Sequence, residues 1–214
     1  MTAADPVTTT TTAASSAPEA QAVASVATPE ADTRLSLWQQ LKEDHAAHRR
    51  DWTRPGFRAV AVHRFGVWRM GIRSKLLRAP FSLLYRTLHR RVRNVYGIEL
   101  PYSATLGRRV VVEHQGGIVI HGNAVIGDDC VIRQGVTLGI RHESEPDQAP
   151  VLGHGVSVGA GAVILGGITL GDGSSVGANA VVLKDVPAGA TAVGIPAKII
   201  PPKSANPEAP EASA

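Results

Sequence analysis

The stretch VLGHGVSVGAGAVILGGITLGDGSSVGANAVVL, residues 151–183, places an aliphatic residue at every sixth position: Leu152, Val158, Ile164, Leu170, Val176 and Val182. Glycine follows Leu152, Val158, Leu170 and Val176. An α-helix repeats about every 3.6 residues and a strand about every two, so neither explains the period. Each hexad reads as one structural side, a short strand plus a turn, with its aliphatic residue directed inward. Stacking such sides buries a column of Val, Ile and Leu that no single repeat buries alone, which is a solenoid. The 22 glycines against nine aromatic residues fit the same reading, because a core of this kind packs small residues repetitively.

The phase continues upstream as Leu100, Leu106, Val112 and Ile118, slips by two residues, and resumes as Ile120, Ile126, Ile132 and Leu138. The slip falls in VVVEHQGGIVIHG, residues 110–122, where Glu113 and His114 interrupt a run of small and apolar residues. Interruptions of regular structure tend to hold function. A histidine there is suited to take a proton from a hydroxyl. A corner histidine satisfied by a backbone carbonyl is the alternative reading of the residue alone.

Outside the repeat, residues 1–33 are rich in Thr, Ala, Ser and Pro, and residues 201–214 are similar. Both read as disordered tails with too little apolar surface to offset their ordering entropy. Neither a secretory signal nor a membrane span is expected in the first of them. Residues 34–98 read as a helical domain of three helices: one around Leu37, Trp38 and Leu41; one with Phe57, Val60, Ala61, Arg64 and Phe65; and one with Pro80 near its first turn, ending at Gly97. Residues 99–200 form the repeat domain. Between Leu35 and Ile98 there are fourteen Lys or Arg against three Asp or Glu. Such a block suits a solvated face with snorkelling arginines or contact with an anionic membrane. No nucleic-acid motif accompanies it. The one cysteine, Cys130, excludes an internal disulfide and fits a reducing, cytoplasmic compartment. No metal cluster is read from the sequence.

The segments IGDDCVIRQGVTLG (126–139) and the run from Val151 through GIPAKI to Ile199 resemble the hexapeptide-repeat acyltransferases. The resemblance implies a mainly β fold, a left-handed parallel β-helix preceded by a small α-helical domain. More narrowly, a helical block followed by ATLGRRVVVEHQGGIVI (104–120) is similar to the serine acetyltransferase family, including its colanic-acid-type polysaccharide O-acetyltransferases. That likeness implies acetyl-CoA as co-substrate, His114 as general base, and Glu99 as its orienting carboxylate where the family usually has an aspartate. Glu113 would face the acceptor and Gly139 would offer an N–H to the oxyanion. Ala160 and Ala178 would let the backbone bind pantetheine, and Lys184 and Lys198 are candidates for the phosphate end. It further implies sites between subunits, hence a homotrimer or a dimer of trimers.

The acceptor is read from departures. Serine acetyltransferases carry an Arg-His pair before the proline of the loop that here reads IRHESEPDQAPVLG (140–153), and this chain has Gln148 and Ala149. The family's Asp-Pro turn is also missing, since Trp52 follows Asp51. An uncharged pair cannot neutralise a carboxylate. The expected acceptor is therefore a sugar hydroxyl of an exopolysaccharide precursor. L-Serine is the alternative, with Arg141 and His142 available to hold its carboxylate, and a non-catalytic β-helical scaffold is a third reading. The basic block would place the protein peripherally at the inner membrane face.

Overall fold

The computed structural model describes residues 35–202, so the expected tail at 1–33 and, but for Pro201 and Pro202, that at 201–214 lie outside the described residues. From Ile98 onward the chain winds as a left-handed parallel β-helix. The first coil holds β1 (Ile98–Glu99), β2 (Thr105–Leu106) and β3 (Val111–Val112). The second holds β4 (Ile118–Ile120), β5 (Val125–Ile126) and β6 (Val131–Ile132), and the third β7 (Thr137–Gly139), β8 (Val151–Leu152) and β9 (Ser157–Val158). The fourth holds β10 (Val163–Leu165), β11 (Thr169–Leu170) and β12 (Ser175–Val176). The chain ends with β13 (Val181–Val182), β14 (Thr191–Val193) and β15 (Lys198–Ile200). Three parallel sheets result, β1-β4-β7-β10-β13, β2-β5-β8-β11 and β3-β6-β9-β12-β14, and β15 lies antiparallel on β14.

The register locates every irregularity. Regular coils pair residues eighteen apart, such as Val151 with Thr169 and Val163 with Val181. The first coil pairs residues twenty apart, Ile98 with Ile118 and Val111 with Val131, so two extra residues sit in the corner after β3. Across the second coil the spacing is twenty-six for Val125 with Val151 and Val131 with Ser157, which puts eight extra residues after β7. β4 itself keeps the regular inward pair: Ile118 and Ile120 are both buried, and Val119 between them is 44% exposed. Ile118 aligns with Ile98 behind it and Ile120 with Leu138 ahead.

The hexad aliphatics form the core as the periodicity requires. Ile120, Leu138, Ile164 and Val182 stack in one column and Leu106, Ile126, Leu152 and Leu170 in another, all buried. Smaller residues fill a second inward position two residues earlier, among them Ala124, Val136, Ala162 and Cys130. Burial pushes the Cys130 thiol up to about 11, so it is an inert core group. Where the third sheet passes to the first, Gly117, Gly135, Gly161 and Asn179 repeat a left-handed turn with φ of 66°, 72°, 71° and 56°. A Cβ on Gly135 would stand 3.2 Å from the Gly161 Cα, so the stacked corner needs glycine for closeness as well as for φ.

The helical segment forms α1 (Leu37–Ala47), α2 (Pro55–Met70) and α3 (Lys75–Arg91), followed by a π turn over Val92–Tyr96 that ends at Gly97 with φ 63°. Ser36 and Gln39 make a reciprocal capping box on α1, and Pro55 opens α2. The expected position of Pro80 is corrected: α3 starts at Lys75 with Ser74 as its cap, so Pro80 lies inside the helix. The carbonyl it leaves unpaired belongs to Leu76, a residue 83% exposed, which lets water replace the missing bond.

The helices close the open end of the solenoid. The first coil has no coil behind it, so its outward backbone groups would go unpaired. Helical side chains supply the partners. Arg64 donates to the carbonyls of Leu106 at 2.8 Å and Gly107 at 2.5 Å and pairs with Asp44 of α1 at 2.9 Å. His63 Nε2 donates to the Ala104 carbonyl at 2.9 Å. The Val112 N–H donates to His48 Nε2 at 3.2 Å, which leaves the His48 proton on Nδ1 for the Asp44 carbonyl at 2.7 Å. His63 and Arg64 of α2 are thus structural.

Burial lowers the pKa of both His48 and His63, the latter to about 4. Below a pH of roughly 6.5 the unfolded chain binds protons that the folded chain refuses. Stability is therefore complete above that pH and falls as pH drops toward the folded value, by about 3 kcal/mol for His63 alone. Thermal unfolding followed across this window tests the point; a midpoint that does not fall with acidification would contradict the neutral, buried rings.

Candidate active site

The two-residue excess after β3 forms a corner that carries Glu113 and His114. Its backbone is held on both sides: the Glu113 N–H donates to the Ile132 carbonyl at 2.8 Å and the Gly116 N–H to the Tyr96 carbonyl at 2.8 Å. Between these anchors His114 has a φ of 67° and an exposed ring. The left-handed region costs a residue with a Cβ about 1–2 kcal/mol. Strain of this kind persists where surroundings over-determine it and clusters at functional sites.

Glu113 turns back along the third sheet, where its Oε2 lies 3.2 Å from Arg133 Nε. Arg133 also donates to Ser157 Oγ at 3.1 Å and to the Val158 carbonyl at 3.4 Å. Sequence reading passes over Arg133, yet the signal is there: with Val111 facing Val131, Glu113 must stack on residue 133. Glu99 sits half-buried on β1 opposite Val119. Among the described residues no hydrogen bond or ion pair joins it to His114. Its charge bears on His89, whose pKa is lowered by burial first and by Arg93, with Glu99 pulling the other way.

Ala160 and Ala178 lie on the same corner as His114, two and three coils further on, and the Asn179 N–H donates to the Ala160 carbonyl at 2.8 Å. Gly139, Arg141, His142 and Lys184 belong to the next corner, between the first and second sheets. Arg141 donates to the Leu183 carbonyl at 2.8 Å, which lays its side chain across two coils. His142 is exposed in the eight-residue excursion, which Asn123 ties down through the Pro146 carbonyl at 3.0 Å. Gln148 and Ala149 end that excursion, Ala149 buried. Lys198 is exposed on β15. One chain therefore presents most of the named residues on two neighbouring corners of a triangular prism, with Glu99 on β1 and Lys198 on β15. Among the described residues, no group of three His, Cys, Asp or Glu is placed to hold a metal ion.

Comparison with known proteins agrees with this architecture. The family described as bacterial transferase hexapeptide (six repeats) matches residues 149–184, which defines a hexapeptide-repeat solenoid. The serine acetyltransferase of Helicobacter pylori strain J99 is 40% identical over 173 residues, covering 79% of this chain and 96% of that protein. The putative colanic acid biosynthesis acetyltransferase WcaB of Escherichia coli K12 is 41% identical over 139 residues, 64% of this chain and 83% of that one. The Synechococcus elongatus serine acetyltransferase is 39% identical over 146 residues, 68% of this chain; the chain spans 57% of its length. Among solved structures, the Brucella abortus S19 serine acetyltransferase in complex with coenzyme A has a TM-score of 0.64 at 33% identity, covering 75% of this chain and 66% of that chain. The soybean serine acetyltransferase complexed with serine has a TM-score of 0.66 at 36% identity, covering 77% and 70% respectively. The chain belongs to the serine acetyltransferase family of hexapeptide-repeat acyltransferases.

Proposed function

We propose that the chain is an acetyl-CoA-dependent O-acetyltransferase with His114 as general base. The observation that carries this is the strained, exposed His114 on the corner after β3, beside an ion-paired Glu113. In the reaction, imidazole removes the acceptor hydroxyl proton as that oxygen attacks the thioester carbonyl. A backbone N–H at Gly139 stabilises the oxyanion. The C–S bond then breaks and the departing thiolate takes the proton from the imidazolium, giving an acetyl ester and free coenzyme A. Glu99 is assigned to orient the ring, which requires its side chain to turn from the His89 side toward His114, and Glu113 faces the acceptor. Ala160 and Ala178 receive the pantetheine, and Lys184 and Lys198 its phosphates.

The division of these residues between two corners supports a homotrimer, because a site that uses His114 and Gly139 together draws them from neighbouring copies. A cytoplasmic setting belongs to the same proposal.

The comparisons support L-serine as acceptor better than a sugar, since most of the similar proteins are serine acetyltransferases and one solved relative is complexed with serine. Arg141 and His142 then meet the carboxylate. The sugar reading keeps one specific support: Gln148 and Ala149 carry no charge, and Arg141 is engaged with the Leu183 carbonyl. Thiol release from acetyl-CoA, measured with L-serine, with sugar nucleotides and with no acceptor, decides between them. Serine-dependent release establishes the first; release that ignores serine and rises with a sugar acceptor establishes the second.

Arg133 enters as a positioning residue. Arg133→Met leaves Glu113 without its partner and is expected to raise the acceptor KM roughly tenfold with less change in kcat, the size of one charge-assisted hydrogen bond. Equal loss in kcat and kcat/KM would place its role in the transition state instead.

A further inference from the structure

We propose that the outer face of α2 and α3 is a monotopic docking surface for an anionic phospholipid bilayer. The proposal is independent of the acetyltransferase reading, because its test reads lipid binding and no activity.

The face is apolar where a soluble helix pair would be polar. Val67 and Trp68 of α2 and Leu76, Leu77, Phe81 and Leu84 of α3 are exposed, Leu76 by 83% and Leu77 by 66%. Their spacing makes this one stripe: Leu77, Phe81, Leu84 and Leu88 follow α3 at intervals of four, three and four, and Ala61, Phe65 and Trp68 follow α2 in the same way. The stripes meet, since Trp68 packs edge-on against Phe81 at 5.4 Å between centroids and stacks on Phe65 at 5.8 Å. The buried side of α3 is a different one, marked by Tyr85 against Tyr102. Further along the same stripes an apolar cavity of about 330 Å³ is lined by Ala61 and Leu88 and carries Arg58, which donates to the Trp52 carbonyl and the Tyr96 hydroxyl, and Arg91, room for a hydrocarbon chain beside two guanidinium charges.

Charge selects the occupant. From Trp52 to Ile98 there is no Asp or Glu, against eleven Lys or Arg, of which only Arg64 and Arg69 are buried. A second copy docking through this same face would oppose arginine to arginine, whereas a bilayer with acidic headgroups offers phosphate to the arginines and hydrocarbon to the leucines. No helix of the described residues is long and apolar enough to cross a membrane, so contact is from one side. Trp68 stands where aromatic residues favour the interface.

The experiment is co-sedimentation of the full chain with vesicles of phosphatidylcholine, alone or with one third phosphatidylglycerol. Binding is expected to the mixed vesicles at low salt and to weaken with added salt. Because a basic protein adheres to acidic vesicles by charge alone, the deciding variant is the charge-neutral Leu77→Gln/Leu84→Gln. It alters exposed residues only, is checked by circular dichroism for retained fold, and is expected to lower partitioning at least tenfold. Three results would overturn the proposal: no binding at low salt, equal binding by the variant, or a change in the variant's sedimentation mass with no vesicle binding by the parent. The last would identify the face as a contact between copies.

Discussion

His114→Ala is expected to slow acetyl transfer by about two to four orders of magnitude, the range for loss of a positioned general base. The folded state should be unaffected, because the ring is exposed at a corner whose backbone is held by Glu113, Gly116 and their partners. A companion variant sharpens the result. His114→Gly removes the same base and also relieves the left-handed φ of 67°, so it should be about 1 kcal/mol more stable than the alanine variant and no more active. Initial rates of thiol release and thermal midpoints measure the two effects separately. A fully active alanine variant would remove His114 as the base, and no acetyl transfer by the parent protein would leave the scaffold reading.

Arg64→Ala is expected to cost about 3–5 kcal/mol, a large share of the stability of a domain this size. It strands Asp44, whose side chain is 1% exposed, and leaves the carbonyls of Leu106 and Gly107 on the open first coil without a donor. Lysine should not rescue the loss, since one ammonium cannot span a carboxylate and two carbonyls in the plane that the guanidinium fills. Equilibrium denaturation provides the number; a loss below about 1 kcal/mol would mean that the helices rest on the solenoid without sealing it.

The solenoid was legible because its determinants are local and repeated. One inward aliphatic per hexad can be counted, and the slip between Ile118 and Ile120 marks the corner after β3 without any coordinates. The start of α3 was not legible, because Pro80 is a strong helix-start signal and the weaker cap at Ser74 won through context. The contacts of His48, His63 and Arg64 were hidden for another reason: they answer backbone groups about forty to sixty residues away, which no periodicity reports. At the site, His114 and Glu113 stood out as ionisable residues in an apolar run. Arg133 required the twenty-residue register, and the assignment of Gly139 and Ala160 to different corners required the order of sheets.

The two interruptions of the ladder differ in what they permit over evolutionary time. The excursion after β7 leaves one rung and rejoins the next in regular step, so Thr137 faces Val163 and Val151 faces Thr169 whatever lies between. Its length and composition are free to drift, or to be exchanged whole between relatives, without re-threading any strand. The excess after β3 has no such freedom. Its backbone is bonded to the turn behind it, Gly116 N–H to the Tyr96 carbonyl, and to the coil ahead, Gly135 N–H to the Gly116 carbonyl, so a change of length there breaks ladder bonds on both sides. The fold thus couples the corner that holds the imidazole to the backbone ladder on either side and leaves the neighbouring corner, with Arg141 and His142, open to change. On the proposed mechanism, a lineage can retune which hydroxyl it accepts while the corner assigned to proton transfer stays in place.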